Sequence, residues 1–163
     1  MWLWLRALFY MLIVGGGWLI LLPAFILCVV DQVDGLRFRP LTYASVGFGM
    51  ILAGALLALY AGYYLIRYGI GTPLPFDPPG QLVTCGPYQY VQNPQAIAMI
   101  LMVLGEIIAI NSNWLWLMLP FTIIYLEWIV GPFEKKQMTS QYGNDYAVYA
   151  AKVPRWIPRL WAK

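Results

Sequence analysis

Uncharged apolar stretches dominate this chain and limit what it can fold into. After Arg6 the sequence runs apolar for about 24 residues, to Val30, long enough to cross a hydrocarbon core of about 30 Å. A second stretch runs from Thr42 to about Tyr68, a third from Pro94 to about Ile110 and a fourth from Trp114 to about Val130. Inside a bilayer every backbone polar group must be satisfied within its own segment, so stretches of this length are helices. The expected fold is all-α and integral to a membrane. It has about four transmembrane helices (2–30, 42–68, 94–110 and 114–130), a cytoplasmic loop and a C-terminal amphipathic helix and tail, in one membrane domain over 1–163. Charged residues make up only 10% of the chain, against roughly a quarter in soluble domains, which agrees with that reading.

Local signals refine the spans. The first is too long for a signal-peptide core and lacks a small-x-small cleavage site, so it is read as a retained helix. Gly15-Gly16-Gly17 permits bending or the close approach of a neighbour, and Pro23 predicts a kink. Gly54, Ala58 and Gly62 share one face as a small-residue strip for helix packing. Asn111-Ser112-Asn113 reads as a tight turn, and Gly131-Pro132 as the break that ends the fourth span.

Charge fixes the expected orientation. With four spans, Arg6, Arg67, Lys135, Lys136, Lys152, Arg155, Arg159 and Lys163 fall on one side. Arg37 and Arg39, offset by Asp31 and Asp34, fall on the other. The positive-inside rule then puts both termini and the central loop in the cytoplasm, in a cell (inner) membrane. Two polar segments, 69–94 and 131–163, meet at that face. A site there is open both to a water-soluble cofactor and to a molecule dissolved in the bilayer. The net charge of +3 follows from this topology and from attraction to anionic lipid, with no need of nucleic acid.

The chain contains no histidine, which excludes histidine-based zinc sites and Ser-His-Asp triads; no metal site is expected. Cys28 and Cys85 read as packing residues. Three glutamates are candidates. Glu106 lies deep in the third span, where ionisable groups are costly and usually paired or functional. Glu127 lies near the inner end of the fourth span. Glu134 follows seven residues later, on the same helical face if the helix survives Pro132. In the loop, Pro73, Pro75, Pro78, Pro79 and Pro87 stiffen the backbone into a candidate pocket wall. Tyr88 and Tyr90 alternate there, so only one need face a pocket. Asn93 sits in N-cap position before Pro94. Met138, Tyr142, Tyr146 and Tyr149 form a stripe at near-helical spacing, which Gly143-Asn144-Asp145 divides into two short helices.

The loop text GTPLPFDPPGQLVTCGPYQYVQNP and the tail text YGNDYAVYAAKVPRWIPR, separated by a hydrophobic helix pair and a glutamate, resemble the isoprenylcysteine carboxyl methyltransferase-like group of integral-membrane methyltransferases. Phospholipid methyltransferases belong to the same broad superfamily. The resemblance covers about Gly69 to Arg159. It implies S-adenosylmethionine as cofactor, held between loop and tail, and methyl transfer to a hydrophobic or lipid-like acceptor. Carried over by position, Tyr90, Asn93 and Pro94 match the loop motif, Glu134 the first acid of the tail, and Tyr146, Tyr149 and Arg155 the tail pattern. With Tyr88 these are the implied cofactor-binding residues, and Glu134, Glu127 and Asn93 the catalytic ones. Gln92 stands where the family carries arginine, Lys135 replaces the second tail acid, and Ala96 and Ala98 replace the tyrosine and glycine that follow the proline. A glutamine cannot reproduce arginine's bidentate clamp on an anion. A non-catalytic membrane protein on the same scaffold, and a lipid or sterol reductase, are the competing readings.

Overall fold

The computed structural model describes residues 5, 9, 15–34, 41–71, 79–110 and 112–158. Every regular element among them is helical. Helix α1 (Leu22–Asp34) continues from a wide π-helical turn at Gly17–Leu21. Helix α2 (Leu41–Tyr64) ends in a second such turn, Leu65–Gly69. After the central loop come α3 (Pro94–Ala109) and α4 (Met118–Ile124). A third π-helical turn, Tyr125–Val130, leads into α5 (Gly131–Tyr142), and α6 (Asn144–Lys152) follows. Residues 2–14 of the first expected span, most of the Asp31–Pro40 hairpin, the prolines Pro73, Pro75 and Pro78, and the end of the tail lie largely outside the described residues.

Among the described residues, two helical runs are long and apolar enough to cross a membrane, Tyr43–Gly69 and Asn113–Tyr142. Only 22% and 28% of their apolar windows are buried, whereas the core helix of a soluble protein would be mostly covered. Phe48, Leu52, Leu56, Phe121, Trp128 and Ile129 all face outward. Exposed apolar surface on this scale calls for lipid. The second run has 30 residues, more than the roughly 20 a bilayer core requires. Its apolar part covers 113–130; from Glu134 it turns polar. Gly17–Val29 and Pro94–Ala109 are shorter apolar helices.

The expected break at Gly131-Pro132 does not occur. Val130 and Gly131 keep right-handed helical backbone, and the helix passes straight through. The reason is local. A proline lacks the N–H and crowds the carbonyl four residues back. The preceding turn widens, so that the Gly131 N–H bonds to the Leu126 carbonyl, five residues back. The same device precedes Pro23, where the Leu22 N–H bonds to the Gly17 carbonyl. The expected kink at Pro23 is thus accommodated by a widened turn. Among the described residues the adjoining glycines 15–17 receive no neighbour, since a Cβ added at any of them would meet nothing within 4 Å.

Helices α2 and α3 form an antiparallel pair whose contact depends on small residues. A Cβ on Gly47 would stand 2.5 Å from the Gly105 carbonyl and 2.6 Å from the Ala109 nitrogen. One on Gly54 would stand 2.8 Å from the Ala98 carbonyl. The seam therefore includes Gly47 as well as Gly54, at seven-residue spacing, rather than the 54/58/62 strip alone. Helix α1 packs onto the α3–α4 corner through Trp18, Leu19, Leu22, Ile26 and Leu27, around buried Val103, Ile107, Leu115 and Met118. The Trp18 indole donates to Thr122 at 3.0 Å and its ring stacks on Tyr125. At the expected turn the Ser112 N–H bonds to the Ile110 carbonyl at 2.9 Å, and Asn111 itself lies outside the described residues.

The central loop folds back on the end of α2. Val83 and Tyr88 join Ala61 and Leu65 in a buried cluster, with Cys85 packed beside it. Gly86 has φ +60°, and a Cβ there would collide with the Tyr64 ring, so this position requires glycine for conformation and for space. Gly143 has φ +53° and ψ −120°, open only to glycine, and it separates α5 from α6 as expected.

Candidate functional site

At the polar end of the two long helices the loop, α5, α6 and the tail enclose a cavity of about 320 Å³. Pro79, Gln81, Leu82, Val83, Tyr88, Gln92 and Asn93 form the loop wall. Gly131, Glu134, Lys135, Met138 and Tyr142 come from α5, Tyr146, Tyr149 and Ala150 from α6, Arg155 from the tail and Leu65 from the end of α2. The two polar segments singled out in the sequence therefore build one chamber. All four members of the Met138–Tyr149 stripe line it. The stripe bends around the chamber because Gly143 turns α6 back from α5.

Glu134 is the half-buried acid of this chamber. Burial pushes its carboxyl from the ordinary 4.5 up to about 7, with Arg155 pulling the other way. Its Oε2 accepts a hydrogen bond from the Asn93 side-chain amide at 2.8 Å. The Asn93 Oδ1 in turn accepts from the Ala96 N–H at 3.1 Å, capping α3. Asn93 thus caps its helix and orients the acid with one amide. Pro94 opens α3 and is fully buried beneath the site without lining it, and Tyr90 points outward, 38% exposed. Of the alternating tyrosines, Tyr88 is the inward one.

Tyr88 is buried, and its hydroxyl finds no hydrogen-bond partner among the described residues. An orphaned buried hydroxyl costs about 1–3 kcal/mol. Burial, and then the neighbouring Tyr149 and Glu134, push its pKa well above the ordinary 10. It therefore remains protonated. Burial also raises Tyr142, Tyr146 and Tyr149. The Tyr149 hydroxyl donates to the Tyr88 carbonyl at 2.7 Å, and the Tyr142 hydroxyl donates to the Pro79 carbonyl, which also accepts from Gln141 at 2.7 Å. These bonds stitch α5 and α6 to the loop.

Arg155 and Glu127 form the third group. The guanidinium donates to Glu127 at 3.1 Å, and the Trp156 indole donates to the other carboxylate oxygen at 2.9 Å. Arg155 also lies over the Trp156 ring, 5.3 Å from its centroid. Glu127 does not line the cavity. Its carboxylate is taken up in holding the tail. Gly131, read in the sequence only as a breaker, is the seat that makes this possible. A Cβ there would overlap the Arg155 guanidinium. Glu127, Gly131 and Glu134 follow one another along a single helical face, with Arg155 laid across it.

The sequence reading also missed the role of Gln92. Its side-chain amide donates to the carbonyls of Val153 at 2.6 Å and Ala150 at 3.2 Å, and its N–H donates to Pro154 at 2.9 Å. The signal was present as a departure from the loop motif, but the tail acceptors could be found only in three dimensions.

The chamber thus offers a cationic or protonatable ligand one half-buried acid and several aromatic faces. It offers an anionic group Arg155 and Lys135. Its volume falls in the range of small-molecule pockets. Comparison with known proteins agrees in kind. The family model described as phospholipid methyltransferase matches residues 42–145, well over half of the chain. That segment includes Asn93 and Glu134 and stops short of Tyr146, Tyr149 and Arg155. No curated protein and no solved structure matches the chain.

Proposed function

Because the chain belongs to the phospholipid methyltransferase family, a family of membrane methyltransferases, we propose that it transfers a methyl group from S-adenosylmethionine to a hydrophobic, lipid-borne acceptor. The observation that carries this reading is the chamber itself: a half-buried carboxylate, inward tyrosines and an arginine converge where two membrane-length helices end. When bound, S-adenosylmethionine supplies an electrophilic methyl on a sulfonium, which passes to the acceptor's lone pair by in-line displacement and leaves the neutral thioether behind. The residues present fit such a ligand. Glu134 and the faces of Tyr88, Tyr146 and Tyr149 suit a sulfonium cation. Arg155, with Lys135, suits an α-carboxylate. The Tyr88 hydroxyl, kept protonated by burial, lies beneath the chamber surface without a partner among the described residues.

The chain's own part in the chemistry is positioning, exclusion of water and, for an amine acceptor, proton removal. Asn93 fixes the Glu134 carboxylate by one hydrogen bond. With a pKa of about 7, Glu134 is poised to take the proton that an amine loses on methylation. We further read Gly17–Val29 and Pro94–Ala109 as crossing with the two long helices, in a four-span arrangement with both termini and the chamber at the cytoplasmic face, where the acceptor arrives laterally from the bilayer.

Calorimetry on nanodisc-embedded protein tests the cofactor. Saturable binding of S-adenosylmethionine and of S-adenosylhomocysteine is the expected result; binding of neither to folded protein overturns the reading. Transfer of labelled methyl into the lipid fraction then identifies the acceptor.

A further inference from the structure

The bonds made by Gln92 all end within a few residues of Arg155. Ala150 and Val153 lie in and just after the last turn of α6, where helix carbonyls lack intrahelical partners. The Gln92 amide satisfies both, at 3.2 and 2.6 Å, as a C-terminal cap supplied from 58 and 61 residues away. The Gln92 N–H then fixes the Pro154 carbonyl at 2.9 Å, one residue before Arg155. Beyond that point the described tail, to residue 158, has no helical hydrogen bonds of its own to define its course. The Arg155 backbone is therefore placed by Gln92, and its side chain by Glu127, Trp156 and the Gly131 seat.

We propose that Gln92 is a positioning residue for the carboxylate-bearing end of the cofactor, acting through Arg155. This rests on the methyltransferase reading above and goes beyond it by assigning a role to a residue that does not itself clamp an anion. The requirement at position 92 is for side-chain N–H donors aimed at two carbonyls. Glutamine meets it, and so does arginine, whose guanidinium also carries several donors. Glutamate keeps the shape and size but offers only acceptors. Alanine offers nothing.

The test compares two ligands that share the adenosyl thioether and differ in the amino-acid end. S-adenosylhomocysteine carries the α-carboxylate; 5′-methylthioadenosine does not. Binding is measured by calorimetry in nanodiscs for wild type, Gln92→Ala, Gln92→Glu and Gln92→Arg, and for Arg155→Ala with and without Gln92→Ala. Gln92→Ala and Gln92→Glu are expected to weaken S-adenosylhomocysteine about tenfold, the loss expected of one charge-assisted contact. They leave 5′-methylthioadenosine within about twofold. Gln92→Arg restores the S-adenosylhomocysteine affinity. In the Arg155→Ala background Gln92→Ala adds no further loss. Equal weakening of both ligands shows general loosening and overturns the proposal, as does unchanged S-adenosylhomocysteine affinity in Gln92→Glu. Wild-type protein that binds neither ligand overturns the methyltransferase reading as well, so the two failures are distinguishable.

Discussion

The raised pKa of Glu134 makes the affinity for a cationic ligand depend on pH in a calculable way. Burial lifts the carboxyl from 4.5 to about 7. With that value the acid is about one-tenth ionised at pH 6 and about nine-tenths ionised at pH 8. If the sulfonium binds the ionised form, apparent affinity scales with that fraction and improves about tenfold across this interval, then levels off. S-adenosylhomocysteine has the same amino-acid end and a neutral sulfur, so the ratio of the two dissociation constants isolates the sulfonium once each ligand's separately titrated amino group is corrected for. That ratio, measured by calorimetry from pH 6 to 8, is the assay. Glu134→Gln should abolish its pH dependence. A ratio that is flat in wild type, or one that still shifts in Glu134→Gln, refutes the assignment. The unliganded protein should show the opposite trend. A folded-state pKa above the unfolded value means that folding favours the protonated acid. The resulting stability is full below pH 4.5 and is lost as pH rises through about 7, at most about 3 kcal/mol for a shift of this size. Thermal denaturation without ligand should therefore show a melting temperature that falls between pH 5 and 8 in wild type and changes less in Glu134→Gln.

Other perturbations separate orientation, seating and packing. Asn93→Asp keeps an acceptor for the Ala96 N–H but sets a second carboxyl where a donor stood 2.8 Å from Glu134. The pH transition of the affinity ratio should move above 7 while the helix cap survives. Gly131→Ala gains up to about 1 kcal/mol of helix propensity yet expels the Arg155 guanidinium. S-adenosylhomocysteine affinity should fall with no loss of melting temperature; a fall in both, or in neither, contradicts the seat. Gly105→Val drives a Cβ to within 2.6 Å of the Gly47 carbonyl and 2.9 Å of the Ile51 nitrogen. It should cost about 2–3 kcal/mol, or roughly 5–10 °C in thermal denaturation, whereas Gly49→Ala, which meets nothing within 4 Å, should cost nothing measurable.

What could be read from the sequence follows from the range of each interaction. The long apolar runs, the Asn93 cap, the division at Gly143 and the tyrosine stripe are local patterns, and the structure carries them as helices, a cap, a turn and a cavity wall. Glu134 could be singled out because an acid just past an apolar span must find a partner or stay neutral. Its actual partner, Asn93, lies 41 residues away. The bond that occupies Glu127 spans 28 residues and those of Gln92 span up to 61. No periodicity encodes such pairings. Gly131 was misread for a related reason. Next to Pro132 it resembles a helix breaker, and its value lies in a side chain it lacks, opposite an arginine 24 positions later.

That misreading shows how the chamber is built. Had the helix ended at Gly131, Glu134 would sit on a free segment and owe its position to loop contacts alone. Because the widened turn at Tyr125–Val130 carries the helix past Pro132, Glu127, Gly131 and Glu134 become successive steps of one rigid face. Glu127, 42% exposed, holds the Arg155 guanidinium near the wet edge, where the ion pair by itself contributes little to stability. Its effect is geometric. It keeps the cation over the glycine seat, close enough to Glu134 to oppose the rise in that acid's pKa without cancelling it. A direct Arg155–Glu134 pair would hold Glu134 ionised at neutral pH. Splitting the two carboxylates along the helix keeps the half-buried acid titratable and the arginine on the chamber wall, and this arrangement depends on the π-helical turn that the proline requires.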